Sequence, residues 1–198
     1  MNTIELFLLR LGASFSVAKF FPFLVLVLIG ISLSLLFFRL PLLKFMPKLL
    51  KLIPILCLIF APATIYFIYY PIYEGDIYDL SETPKHKVAL NIDSELVVFA
   101  LPGCKYCTAS AQLMNNIQPY LSCKIGFWIL GSDSSDVKTY KKLLNKNIHC
   151  ELGPERDDIL ELTNGQFPTF FMIKNHQIQK VWHNNGFGVS ALGQLDEN

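Results

Sequence analysis

Residues 95–107 read Glu95-Leu-Val-Val-Phe-Ala-Leu-Pro-Gly-Cys-Lys-Tyr-Cys107. Glu95 to Leu101 is a short, nearly continuous apolar run, the pattern of a strand buried on both faces. Pro102-Gly103 is a turn signal, and the apolar positions Ala109, Leu113, Ile117 and Tyr120 predict a helix from Cys104 to Tyr120. Cys104 therefore falls at a helix N-terminus, where the free N–H groups and the helix dipole stabilise a thiolate. The thiolate is the species that attacks disulfides, and Lys105 adds a nearby positive charge. Cys107 stands one turn further on, close enough to close a disulfide with Cys104. The spacing assigns Cys104 as nucleophile and Cys107 as resolving thiol. Half of a zinc knuckle is the competing reading, but it needs a second closely spaced pair of ligands, and none exists. Cys123 and Cys150 are isolated, and His149, His176 and His183 have no ligand spacing to one another. No metal and no cofactor is expected.

Outward from this stretch, the charged part of the chain alternates strands and helices. Lys124 to Leu130 reads as a strand, Asp136 to Asn145 as an amphipathic helix, Ile148 to Leu152 as a brief strand and Glu155 to Thr163 as a helix. Thr169 to Ile173 and Ile178 to His183 flank the polar Lys174-Asn175-His176-Gln177 turn and predict an antiparallel hairpin. A last helix is expected from Val189 to Leu195. The order implies an α/β fold with a mixed sheet, and roughly 110 residues suffice for one core. Phe127, Trp128, Phe170, Phe171 and Trp182 fall on the predicted strands, where core packing is their ordinary use. Tyr106, between the cysteines, is expected to be exposed and to contact substrate.

A strand, then Pro-Gly-Cys-Lys-Tyr-Cys, a helix, and Phe167-Pro168-Thr169 at the head of a strand hairpin together resemble the thioredoxin-fold superfamily. The resemblance covers roughly residues 88 to 195 and implies that Pro168 is a cis-proline abutting the Cys pair. It further implies that the Phe167 backbone binds an extended substrate segment and that Pro168 denies metals access to the thiols. The additional helix and strand from Asp136 to Leu152 resemble the insertion of the TlpA-like and ResA-like branch, membrane-anchored thiol-disulfide oxidoreductases of the bacterial envelope. In such a fold the inserted strand lies parallel beside the Lys124–Leu130 strand, with Cys123 and Cys150 near the starts of the two. A structural disulfide between them and two buried thiols are then both open readings. The chain departs from the superfamily at three positions. Gly103 replaces the common aromatic before the first cysteine, Val98 replaces a buried acid six positions before it, and Ser110 replaces the acid often found after the second. Asp93 and Glu95 are the nearest acids in sequence, placed to cap the strand.

The first part of the chain is a different polymer. Residues 1–73 hold 7 of the 33 charged side chains, six of them basic. Phe20 to Phe38 is 19 residues without a charge and Leu52 to Tyr73 is 22. At about 1.5 Å of rise per residue, each run can cross a bilayer. Neither has the polar face of a buried soluble helix. The first run is too long for a signal peptide and no small-x-small site follows, so a retained anchor is expected. Pro54, Pro62 and Pro71 predict a kinked second span. Lone Cys57 there is read as a small apolar residue, and Leu6, Leu8, Leu9 and Leu11 suit an interfacial helix. Arg39, Lys44, Lys48 and Lys51 lie between the runs, whereas Glu74, Asp76, Asp79 and Glu82 follow the second. Because positive charge stays cytoplasmic, the hairpin is expected to turn inside, with the charged domain extracytoplasmic, that is, periplasmic, on a bacterial inner membrane.

No basic stripe appears in the charged part, which disfavours a nucleic-acid binder. The domain organisation expected is a membrane anchor over 1–73, a polar linker over 74–87 and a thioredoxin-like domain over 88–198. The activity expected is disulfide exchange with envelope proteins, with the bilayer and a separate membrane electron donor or acceptor as partners. A non-catalytic scaffold of the same fold is the alternative. A copper-delivering protein is a third, and its Cys-x-x-x-Cys spacing is one residue longer than the one present here.

Overall fold

The apolar stretch after Glu95 forms strand β1, Leu96–Ala100, and every one of its residues is buried. In the computed structural model the described residues are 1–39, 48–84, 89–90, 92–131, 133–154 and 157–196. Lys44, Lys85 and Glu155, on which parts of the sequence reading rest, lie outside them. The chain divides into two units, Met1–Ile72 and Tyr73–Asn198.

In the first unit, helix α1 covers Thr3–Arg10, α2 Phe15–Phe38 and α3 Lys48–Tyr69. Asn2 and Glu5 form a capping box at the head of α1, with Glu5 N–H donating to Asn2 Oδ1 at 2.8 Å and Asn2 N–H to Glu5 Oε2 at 2.9 Å. Helix α2 begins five residues before the expected Phe20, because Ser14 caps it by accepting from Val17 N–H, and the helix runs on through Lys19. The Lys19 amine is accommodated there by donating to the carbonyl of Pro71 at 3.3 Å, with the buried Glu5 carboxylate 4.0 Å away. Helix α3 ends at Tyr69, short of the expected Tyr73, since Pro71 disfavours helical geometry in the residue before it. Phe15–Phe37 and Leu52–Tyr69 are long and apolar enough to cross a membrane. The two helices meet at Gly30, where a Cβ would collide with the carbonyl oxygen of Ile59. A small residue lets the backbones approach.

The second unit is a five-stranded mixed sheet flanked by helices, in the order β3-β2-β1-β4-β5. Strand β2 is Ile125–Ile129, β3 His149–Leu152, β4 Thr169–Lys174 and β5 Gln177–His183. β2 runs parallel to both β1 and β3, and β4 is antiparallel to both β1 and β5. The β4–β5 turn is tighter than the four polar residues suggested, because Asn175 and His176 both take positive φ (54° and 59°), as a two-residue hairpin requires. Helix α4 covers Glu74–Ile77, α5 Lys105–Ile117, α6 Ser134–Leu143, α7 Asp157–Thr163 and α8 Val189–Asp196. Val97, Phe99, Phe171 and Val181 form one core layer with Ile159 of α7. On the opposite face Phe127 packs on Tyr140 of α6, and Phe170 stacks on Phe187.

Residues 74–84 are not the free linker that their polarity suggested. Asp76 is buried, accepting from Val189 N–H at 3.1 Å and Tyr73 N–H at 3.0 Å. Asp79 accepts from the Trp182 indole and the Lys180 amine, each at 3.1 Å, and Glu82 bridges to Val181. Partial burial opposes the Asp79 charge, yet the hydrogen bonds from Gln194, Lys180, Ser81 N–H and Trp182 win and hold its carboxyl well below the usual range. A carboxylate lowered on folding stabilises the fold above its unfolded value of about 3.9 and loses that contribution as pH falls through the folded value. The stability gap between wild type and Asp79→Asn should therefore be constant above about pH 5 and narrow below about pH 4, measured by denaturant unfolding across an acid series. A gap that does not narrow would refute the role of the charge.

Candidate redox site

Four residues, Leu101 to Cys104, carry the chain from the end of β1 into α5. Gly103 makes the reversal with φ 69°, the left-handed region where a side chain is strained. Cys104 is the N-cap of α5, and its Sγ accepts from Cys107 N–H at 3.1 Å. The Cys104 and Cys107 sulfurs are bonded to each other, with their Cα atoms 5.2 Å apart. Cys104 is partly exposed and Cys107 fully buried, as one turn of helix dictates when the second residue faces the sheet. Only the first sulfur is open to attack from solvent. Tyr106 is 64% exposed beside it.

Two hydroxyls that sequence reasoning missed hold this loop. Tyr140 Oη donates to Leu101 O at 2.9 Å, and Thr108 Oγ1 donates to Cys104 O at 3.2 Å. Burial pushes the Tyr140 phenol up, so the phenol stays a donor to Leu101. The one sequence signal was an aromatic on the inward face of an otherwise polar helix.

The Phe167–Pro168 peptide bond is cis. Thr169, the next residue, pairs with Phe99, so the antiparallel register places Pro168 beyond it, across from Ala100. That is the end of β1 from which the chain departs toward Cys104. The Pro168 carbonyl accepts from Asn184 N–H at 2.8 Å, and the Phe167 side chain packs against the Val97–Phe99 core layer. The structure thus brings Cys104, Cys107, Tyr106, Phe167 and Pro168 to one end of the sheet.

Among the described residues the acid nearest the turn into Cys104 is Asp136 of α6, since a Cβ on Gly131 would lie 3.1 Å from its Oδ2 and 3.0 Å from Pro102 Cγ, and sequence reasoning missed it. Val98 is fully buried, and Ser110 Oγ is turned back to donate to its own helix at Tyr106 O, 3.0 Å away. Asp93 pairs with Lys124 at 2.8 Å and Glu95 accepts from Lys124 N–H at 3.2 Å, both at the opposite, leading end of β1.

Cys123 and Cys150 are not joined, which corrects the disulfide reading. β2 starts only at Ile125, and the register sets Cys150 beside Phe127. Cys123 lies on a bend before β2 begins, off that rung. Burial pushes the Cys150 thiol up to about 11, which leaves it unreactive at neutral pH. Among the described residues no three His, Cys, Asp or Glu side chains gather as a metal site.

No protein-family model matches the sequence, and none of the curated proteins matches it.

Proposed function

We propose that this chain is a membrane-tethered thiol-disulfide oxidoreductase of thioredoxin-like fold, acting on protein disulfides or dithiols outside the cytoplasm. The observation that carries the reading is the bonded Cys104–Cys107 pair capping α5, with one sulfur open and the other buried. A cis-proline at the same end of the sheet and the strand order β3-β2-β1-β4-β5 support it. In the reducing direction, the Cys104 thiolate attacks one sulfur of a substrate disulfide and expels the other as a thiolate, which takes up a proton. Cys107 then gives up its proton and attacks the Cys104 sulfur, releasing the second substrate thiolate. The pair ends oxidised by two electrons and the substrate reduced by two. Oxidation of a substrate dithiol is the same path reversed. Either direction needs a separate donor or acceptor to reset the pair. The membrane helices keep the domain at the surface of the bilayer, and the basic residues Arg39, Lys44, Lys48 and Lys51 favour a hairpin that turns in the cytoplasm.

The test is an equilibrium titration of the full chain in detergent against dithiothreitol or glutathione buffers, counting free thiols by alkylation. A reversible two-electron transition is expected. A potential near about -270 mV would identify a reductant and one near about -120 mV an oxidant. If Cys104 and Cys107 show no reversible equilibrium, a scaffold of the same fold takes the place of the enzyme.

A further inference from the structure

The segment that opens the second unit buries an acid and exposes its large apolar side chains. Asp76 is buried against Val189 N–H, the Asp79 side chain is 34% exposed and bonds to Trp182 and Lys180, and Glu74 faces solvent. The large apolar side chains of the segment turn outward, with Tyr73 49%, Ile77 56%, Tyr78 65% and Leu80 40% exposed. Tyr73 and Ile77 are four residues apart on one face of the α4 turn. Tyr78 and Leu80 flank Asp79, and in extended chain alternate residues share the side opposite to it. Four large apolar side chains exposed within eight residues, beside a buried acid, mark a binding surface.

Chain length names the partner. Helix α3 ends at Tyr69, and only residues 70–72 join it to Tyr73. Four residue steps reach at most about 14 Å, comparable to the depth of a headgroup layer and the water just above it. Tyrosine suits that layer, with its ring in the apolar boundary and its hydroxyl in water. Tyr69 and Tyr70 already place aromatics at the end of the span.

We infer that Tyr73, Ile77, Tyr78 and Leu80 form a bilayer-docking face, by which the second unit rests on the lipid surface rather than swinging from its tether. The inference rests on the reading of α2 and α3 as membrane spans. To test it, a photoreactive benzoyl-phenylalanine replaces each of the four residues in turn in the full chain, reconstituted into phosphatidylethanolamine–phosphatidylglycerol vesicles. Leu56 on α3 serves as the positive control and exposed Leu160 on α7 as the negative. Lipid adducts at the four positions several-fold above Leu160 are expected. Adducts no more frequent than at Leu160, while Leu56 is labelled, would overturn the docking face and leave the spans standing. Crosslinks to a second copy of the chain in place of lipid would overturn it too. Absence of lipid adducts at Leu56 would remove the spans and the inference together.

Discussion

Cys104→Ser is expected to abolish disulfide exchange, and Cys107→Ser to arrest it as a stable mixed disulfide between Cys104 and the substrate. Serine is a preferred N-cap, and its hydroxyl can accept from the residue 107 N–H as Cys104 Sγ does at 3.1 Å. The loss at position 104 is therefore chemical rather than structural, and unfolding midpoints should stay close to wild type. Cys107 is fully buried, so its replacement removes the resolving thiol without opening the site to solvent. The measurement is turnover with the insulin disulfides as a model substrate, together with a non-reducing gel that displays the adduct. Exchange that survives Cys104→Ser would show that another thiol carries it. Partly exposed Cys123 would then be the one to examine, since burial keeps the Cys150 thiol protonated. An adduct on Cys104→Ser and none on Cys107→Ser would invert the two roles.

The Cys104–Cys107 pair was legible in the sequence because its signals are local. A buried run, a turn and a two-residue cysteine spacing are all set within thirteen residues, Glu95 to Cys107. The hairpin and the α6–β3 insertion were legible through their apolar periodicity. What escaped reading depends on contacts distant in sequence. Nothing near Tyr140 says that its hydroxyl reaches back 39 residues to Leu101. Nothing near Asp76 says that it meets Val189, 113 residues on. Acids and tyrosines after a membrane span read as a solvated linker, and only the fold shows which side each faces. Of the two readings left open for Cys123 and Cys150, free thiols is the one found, since only the register decides whether two sulfurs can meet. The start of the first long apolar helix was misplaced for a related reason. A count of uncharged residues stops at Lys19, but a lysine whose amine reaches the carbonyl of Pro71 does not stop a helix.

The largest loss of stability is expected from the smallest side chain, in Gly188→Ala. A Cβ at position 188 would lie 2.5 Å from the carbonyl carbon of Gly75, 2.6 Å from its oxygen and 2.7 Å from the amide nitrogen of Asp76. These are backbone atoms, so no rotamer change can relieve the contact, and α4 must move away. Gly75 faces the same difficulty from its own side, since a Cβ there would come within 2.6 Å of the Asn185 carbonyl oxygen. Displacing α4 also breaks the buried bond from Val189 N–H to Asp76. Overpacking and the lost hydrogen bond together should cost about 3 kcal/mol. Gly193→Ala is the control, because it lies in α8 with open space around it and should stabilise by up to about 1 kcal/mol through helix propensity. Denaturant unfolding of the full chain in detergent, followed by tryptophan fluorescence, reads both, since the Trp182 indole is buried and bonded to Asp79. Equal midpoints for Gly188→Ala and wild type would mean that residues 73–80 are not docked on the sheet domain in solution. Asp76 would then lose the Val189 N–H and Asp79 the Trp182 indole, and the outward apolar face would have no frame to hold it.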